Sequence, residues 1–125
     1  MLKYFTESQP YFPPGTLSDQ DKFLETAEII REKAFQLTFQ EIPYGIAVKV
    51  EEIREGKTPG IIYISADIFV EREAHKKMVI GKGGQKLKKI GSLAREELEF
   101  RSGKKIFLDL RVKVKKDWRE RKDFL

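Results

Sequence analysis

Apolar residues recur at helical spacing in the first third of the chain, at Phe23, Ala27, Ile30, Ala34 and Leu37. Steps of three and four residues place these side chains on one face of an α-helix. Ser18 followed by Asp21 has the form of a capping box, in which a hydroxyl and a carboxylate satisfy free N–H groups at a helix start. Pro43 closes the segment. The pattern predicts a helix over residues 19–40.

Two segments after this helix alternate apolar and polar residues, as β-strands do. The first runs from Ile46 to Arg54, with Ile46, Val48 and Val50 on one face, and the turn sequence EGKTPG follows it. The return strand has an apolar face, formed by Ile62, Ile64, Ala66, Ile68 and Val70, and a polar face, formed by Tyr63, Ser65, Asp67 and Glu71. We expect the apolar face to meet a core and the polar face to meet water.

Helical spacing returns after Arg72, where EAHKKMVI predicts a short helix that ends at a run of glycines. A longer helix is predicted from about Gly84 to Arg101, with an inner stripe formed by Leu87, Ile90, Ala94 and Leu98. Gly103 is expected to end it, since glycine readily takes the left-handed conformation of a helix C-terminus. The last strand alternates strictly, with Ile106, Leu108, Leu110, Val112 and Val114 inward and Phe107, Asp109, Arg111, Lys113 and Lys115 outward.

The order helix, strand, strand, short helix, glycine loop, helix, strand predicts an α+β fold with helices on one face of a three-stranded sheet. The first two strands should pair antiparallel. The third follows a helical crossover and should run parallel to one neighbour, which gives a mixed sheet. We interpret residues 1–17, with three prolines, as a linker, residues 18–117 as one domain and residues 118–125 as a basic tail.

Charge is distributed unevenly along the chain. Residues 1–71 hold 7 Lys and Arg against 12 Asp and Glu, whereas residues 72–125 hold 18 against 8. The basic half suits a polyanionic partner, because each neutralised phosphate releases condensed counterions.

The rest of the composition excludes several kinds of chemistry. The absence of cysteine rules out disulfides, thiolate zinc sites and cysteine nucleophiles within the chain. No apolar run approaches the roughly 20 residues that cross a bilayer, and the N-terminus lacks the apolar core of a signal peptide. We therefore expect a cytoplasmic protein.

Three glycines and a lysine stand between the two later helices, in the sequence VIGKGGQKLKKIG. Glycines let a phosphodiester backbone approach the main chain closely, the following helix directs N–H groups and its dipole at it, and Lys82 and Lys86 add positive charge. Ile80, Leu87 and Ile90 are candidates for a floor under unstacked bases. This combination favours single-stranded nucleic acid over a duplex. A tight turn between helices can also need glycine for conformational reasons alone.

The sequence VIGKGGQKLKKIG resembles the GxxG signature of KH domains, and the element order resembles their bacterial topology, type II. The flanking segments, FLETAEIIREKAFQLTFQEIPYGIAVKVEE and AREELEFRSGKKIFLDLRVKVKKDWRE, are similar to the C-terminal domain of the Era family of bacterial GTPases, over roughly residues 10–125. This resemblance implies binding of the single-stranded 3′ end of small-subunit ribosomal RNA during assembly of that subunit. It also implies weak peripheral association with the inner face of the membrane.

By residue, the resemblance implies a backbone clamp and a groove lining, formed respectively by Gly81, Lys82, Gly83 and Gly84 and by Ile80 and Leu87. Charge and position add Lys77, Lys86 and Lys89 as candidates for RNA contact. The third strand is also a candidate for a groove wall, although the sequence does not identify its contacting side chains.

The chain lacks the GTPase motifs of that family, since it has neither GxxxxGK[ST] nor Asn-Lys-x-Asp. GKGGQK is no substitute, because a P-loop follows a strand and needs Ser or Thr after its lysine, where this chain has Gln85. GTP hydrolysis would belong to a domain that this sequence does not contain. The chain fits either a fragment of such a GTPase or a stand-alone KH protein of other RNA specificity. We expect the chain itself to be no enzyme and to need no cofactor or metal.

Other residues offer only isolated candidates for catalysis. The neighbouring acids Glu51-Glu52 and Glu96-Glu97 diverge on a strand or a helix, so we interpret them as surface residues. His75 has no evident partner for acid–base or metal chemistry and is interpreted as a surface or capping residue.

Two alternatives for partner binding remain open. Trp118 among the cations of the tail fits either stacking on a base or packing on the sheet edge, and the tail also fits weak attachment to an anionic membrane. The acidic face of the first helix is a candidate site for a protein partner, through Glu25, Glu28 and Glu32.

Overall fold

The structure, a computed structural model, describes residues 19–42 and 45–115. The elements are α1 Asp19–Thr38, β1 Ala47–Glu55, β2 Ile61–Val70, α2 Glu73–Ile80, α3 Gln85–Ser102 and β3 Lys105–Val114, with a 3-10 turn Lys82–Gly84 between α2 and α3. This is the predicted order. The linker, Ser18 of the capping box, Pro43 and the tail with Trp118 lie outside the described residues.

The three strands form one sheet in the order β1-β2-β3. β1 pairs antiparallel with β2, and β2 pairs parallel with β3. The hairpin turn joins the first pair, whereas α2 and α3 carry the chain back so that β3 runs in the direction of β2. The predicted mixed sheet is confirmed, and β3 lies at one edge of it.

Strand β1 contains one residue that the regular alternation did not predict. Val50 pairs with Ala66 and Glu52 pairs with Ser65, so Glu51 is the extra residue of a β-bulge. The bulge reverses the alternation and brings Ile53 against the core, where a regular strand would turn it to the outer face.

One hydrophobic core lies between the helices and the sheet. Ile30 of α1, Ile68 of β2 and Ile90 of α3 are fully buried in it. The predicted stripes of α1 and α3 supply the helical side. Helix α1 ends at Thr38, two residues before its predicted end, because the N–H groups of Glu41 and Ile42 turn back onto the Thr38 carbonyl.

The outer face of the sheet differs from its prediction at Asp67, which is only 1% exposed. Arg111 Nε lies 2.9 Å from Asp67 Oδ1, and Lys113 Nζ lies 3.0 Å from Oδ2. Both cations come from the neighbouring strand β3, and Arg111 also donates to the Ser65 hydroxyl at 2.7 Å. The prediction that Asp67 faces water is therefore wrong. A carboxylate can be buried there because two cations stay with it.

Candidate nucleic-acid interface

Helices α2 and α3 meet in the glycine turn, Gly81–Gly84, where Gly81, Gly83 and Gly84 have φ of +77°, +64° and +78°. L side chains rarely adopt these values. A Cβ at Gly81 would lie 2.7 Å from Lys86 Cβ, whereas a Cβ at Gly83 or Gly84 would meet no atom of the described residues within 4 Å. Gly81 is thus required where the turn packs on α3. The other two glycines leave open backbone that a phosphate can approach.

The turn presents the start of α3 to solvent. The N–H of Gly84 donates to the Gly81 carbonyl at 3.1 Å, and the N–H of Gln85 donates to the Lys82 carbonyl, which fixes the shape of the turn. No side chain caps α3 at Gly84. The first-turn N–H groups of a helix have no acceptor within the helix and carry the positive end of its dipole. With exposed Lys82 beside them, they form a surface suited to an anion.

An open groove of about 410 Å³ extends from the turn between α3 and β3. Its α3 wall consists of Gly84, Leu87, Lys88, Gly91, Ser92 and Arg95, and its β3 wall consists of Leu108, Asp109 and Leu110. Small residues at positions 91 and 92 give the groove its width. Apolar walls with cations at their rim suit unstacked bases joined by phosphates.

The predicted clamp and lining are only partly assembled at this groove. Gly84 and Leu87 line it, and the rest of the glycine turn stands at its end. Ile80 is half-buried against the core instead. Ile90, which was a candidate for the floor, is fully buried and has no surface for a base to touch, so that prediction is wrong.

The three additional lysines lie outside the groove lining. Lys86 Nζ lies 2.5 Å from Glu41 Oε1, so this cation binds the chain segment after α1. Because successive residues of an α-helix are rotated by about 100°, Lys86 and Lys89 lie on the side of α3 that faces away from the groove. Lys77 lies in the last turn of α2. Their contact with RNA stays a prediction.

Sequence reasoning missed most of the groove. On α3 the missed residues, Lys88, Gly91, Ser92 and Arg95, follow Gly84 at steps of three and four, which was a readable signal of one helix face. The third strand was a candidate for the groove wall, but its contacting side chains could not be chosen, because strand alternation does not tell which residues reach the sheet edge.

Ion pairs on another side of α3 join it to α1. Lys33 Nζ lies 2.7 Å from Glu97 Oε1, and Arg101 Nη2 lies 2.8 Å from Glu97 Oε2. Burial raises the pKa of Glu97, but the hydrogen bonds from Lys33 and Arg101, with their charges, outweigh burial and lower it below its usual value. The same hydrogen bond raises the pKa of Lys33 above its usual value, because it favours the charged ammonium. These contacts hold two helices together.

Within residues 19–42 and 45–115, no three acidic or histidine side chains are grouped so that they could hold a metal ion. In the same part of the chain, no helix is long and apolar enough to cross a membrane.

Comparisons with known proteins agree with the geometry. A family model described as "KH domain" matches residues 41–119. GTPase Era of Thermotoga maritima is 52% identical over 119 residues, which are 95% of this chain and 39% of the relative. GTPase Era of Aquifex aeolicus is 46% identical over 126 residues, which cover 100% of this chain and 42% of the relative.

Among solved structures, the chain is similar to a crystal structure of Era in complex with MgGDPNP and nucleotides 1506–1542 of 16S ribosomal RNA. The TM-score is 0.80 at 46% identity, over 92% of this chain and 38% of that chain. The chain therefore spans about two fifths of the length of the relatives that it matches. The family model covers more than half of the chain, and three helices on a three-stranded mixed sheet are the type II arrangement. The chain belongs to the KH domain family, in its type II form.

Proposed function

We propose that this chain binds single-stranded RNA in the groove between α3 and β3, and that its target is the 3′ end of small-subunit ribosomal RNA during assembly of that subunit. The observation that carries the proposal is that the groove begins at the glycine turn, so an anion site and a base-sized cleft are continuous. The choice of RNA is supported by the 46% identical Era whose crystal structure contains 16S ribosomal RNA nucleotides.

The two ends of the groove bind different parts of the RNA. A phosphate lies on the open backbone of Gly83 and Gly84, near Lys82 and the start of α3. The following bases enter the cleft, where Leu87 and Leu108 supply apolar surface. About four nucleotides occupy such a site.

Polar groups along the walls supply selectivity and additional charge. Asp109 and Ser92 offer an acceptor and a hydroxyl to base edges, while Lys88 and Arg95 meet phosphates. Affinity should then fall with salt more gently than for a purely electrostatic surface, because base contacts release no counterions.

At the level of the whole protein, we propose that GTP hydrolysis, as the names of the Era relatives indicate, belongs to a part of those proteins that this chain does not match. The chain itself would act in the cytoplasm as a binding domain on the small ribosomal subunit, without a cofactor and without catalysis of its own. Weak peripheral membrane association is a further expectation, which is supported by the family resemblance and by the composition of the tail.

The alternative of a protein-binding acidic helix has less support. Each of the three acids on α1 is ion-paired within the chain: Glu25 with Arg101 at 3.2 Å, Glu28 with Arg31 at 3.0 Å and Glu32 with Lys33 at 3.5 Å. A basic partner would have to compete with these pairs, so α1 attracts it less than its formal charge suggests.

The decisive experiment is a fluorescence-anisotropy titration with a six-nucleotide RNA matching the 3′ end of small-subunit ribosomal RNA, a scrambled strand and a duplex, at two salt concentrations. The double variant Lys82→Asp/Gly83→Asp places negative charge at the phosphate site. It should abolish binding and leave the fold intact, because both positions are exposed and Asp tolerates the left-handed conformation better than most residues.

A matched control exists at the other end of α3. Gly103 has φ of +70° and ψ of +13°, close to the +64° and +18° of Gly83, its Cβ would meet nothing within 4 Å, and Lys104 follows it. The variant Gly103→Asp/Lys104→Asp makes the same change of charge about 27 Å away. It should bind the six-nucleotide RNA as the unmodified chain does. Equal losses in both variants, or equal binding to all three nucleic acids, would replace the proposal with a nonspecific basic surface.

A further inference from the structure

A row of side chains crosses the outer face of the sheet, on the side away from the helices. Arg54 of β1 pairs in register with Tyr63 of β2, and Tyr63 pairs with Phe107 of β3. The rings of Tyr63 and Phe107 are stacked, with centroids 5.1 Å apart and planes 13° apart. The Arg54 guanidinium lies 4.6 Å from the Tyr63 centroid. The three side chains form one continuous stack that ends at the edge strand.

The stack is well packed and still open to solvent. The Tyr63 ring lies close over Gly56, where a Cβ would come within 2.6 Å of it. Phe107 is nevertheless 46% exposed and Tyr63 37% exposed. A stacked pair adds stability on a sheet without any ligand. That role does not require half of an aromatic ring to remain in water.

The end of the stack is adjacent to the groove. Phe107 immediately precedes Leu108, which is in the β3 wall, and the two side chains point to opposite faces of the same edge strand. Because β3 is the edge strand, a strand of RNA that leaves the groove past Leu108 can pass around the edge of the sheet and reach the ring of Phe107 on the outer face. Arg95 lines the groove at the same end, far from the glycine turn.

The charges around the stack fit a nucleotide. Arg54 is balanced by Glu52 at 3.3 Å and Lys104 by Glu55 at 3.2 Å. Lys105 forms no ion pair with any residue that the structure describes, and its Nζ lies 5.8 Å from the Phe107 centroid. The Lys105 ammonium is therefore available to a phosphate next to a base that stacks on the Phe107 ring.

We propose that Phe107, supported by Tyr63 and Arg54, is a stacking site for the base of an RNA nucleotide that lies beyond the groove, with Lys105 on the adjacent phosphate. This inference rests on the proposed function and extends the RNA footprint around the edge of the sheet. Base stacking on an aromatic side chain tolerates any base, so the site adds affinity and length dependence rather than sequence preference.

The test compares the six-nucleotide RNA with a twelve-nucleotide RNA that extends past the groove. Phe107→Leu keeps an apolar side chain of similar size but removes the planar ring. It should weaken binding of the longer RNA roughly 5- to 100-fold, which is the range for loss of one stacked base, and leave the shorter RNA unchanged. Phe107→Trp should restore the longer RNA. The control Phe100→Ala removes a phenylalanine that is 88% exposed on α3 and should change neither.

A direct readout comes from 2-aminopurine placed at successive positions of the longer RNA, because its fluorescence is quenched by stacking. One position outside the groove should be quenched on binding to the unmodified chain and not to Phe107→Leu. The stacking site would be overturned if Phe107→Leu, with its fold unchanged by circular dichroism, affected both RNAs equally and left the quenching in place. Failure of the unmodified chain to bind the six-nucleotide RNA would instead overturn the proposed function, so the two failures are distinguishable.

Discussion

Gly91 offers the sharpest test of the groove, because its replacement should improve the fold and damage the site. It lies within helix α3, where glycine costs about 0.5–1 kcal/mol relative to alanine. A Cβ there would lie 3.7 Å from Leu110 Cδ1, an ordinary van der Waals contact. Gly91→Ala should therefore raise the free energy of unfolding by about 0.5–1 kcal/mol, and the melting temperature by roughly 2–5 °C.

The same methyl group projects into the groove, since Gly91 and Leu110 both line it. A base that packs against this wall would clash with the added methyl group. By analogy with an overpacked core, the clash should cost about 1–3 kcal/mol of binding free energy. The dissociation constant for the six-nucleotide RNA should rise roughly 5- to 100-fold. A larger side chain, as in Gly91→Leu, should block the groove further.

Thermal unfolding by circular dichroism and the anisotropy titration measure the two effects on one preparation. Phe100→Ala is the matched control, because it also improves helix propensity on α3 but its side chain is almost wholly in solvent. It should leave RNA affinity unchanged. A Gly91→Ala protein that melts higher and binds RNA as well as the unmodified chain would show that RNA does not lie over this wall.

Three further predictions test other parts of the structure. Lys88→Ala should weaken RNA binding and reduce its salt dependence. Lys104→Ala, which breaks an exposed ion pair with Glu55 outside the groove, should leave the affinity for the six-nucleotide RNA unchanged; titrations at two salt concentrations compare the two variants. Asp67→Ala should lower the free energy of unfolding by about 1–3 kcal/mol at an unchanged denaturant slope in urea, because two cations lose their buried acceptor. The pKa of Glu97 is lower in the folded than in the unfolded chain, so its contribution to stability is present above about pH 4.5 and is lost as the pH falls through the folded value. Glu97→Gln should therefore lower the free energy of unfolding at pH 7 and lower it progressively less in acid, as measured by urea unfolding across that pH range.

The fold could be predicted because its periodicities are clean. The stripe through Ile30 and Ala34 and the alternation through Ile64 to Val70 each identify one buried face, and a face must be buried against another. Boundaries were accurate where glycine ends an element, as at Gly103. They were less so at α1, whose end is set by a turn that includes Ile42, a core residue.

Features that depend on contacts between distant residues could not be predicted in the same way. The bulge at Glu51 is visible only when β1 is laid against β2, and the burial of Asp67 requires Arg111, which is 44 residues away. The pairing of Lys86 with Glu41 spans 45 residues. Asp67 and Lys86 are charged residues whose partners are chosen by the fold, so counts of charge along the sequence overestimate how much of that charge faces a ligand.

The glycine turn was found because its signal is local, whereas most residues of the groove were not identified because it forms only where one face of α3 lies beside strand β3. Leu87, Ile90, Ala94 and Leu98 carry α3 into the core, while the adjacent face opens over β3 at Gly91 and Ser92. Larger residues there would close the helix onto the strand and bury more apolar surface, at a gain in stability. The chain keeps a glycine in mid-helix and an unfilled cleft instead. Both lower stability, and both are explained if the space is reserved for a base.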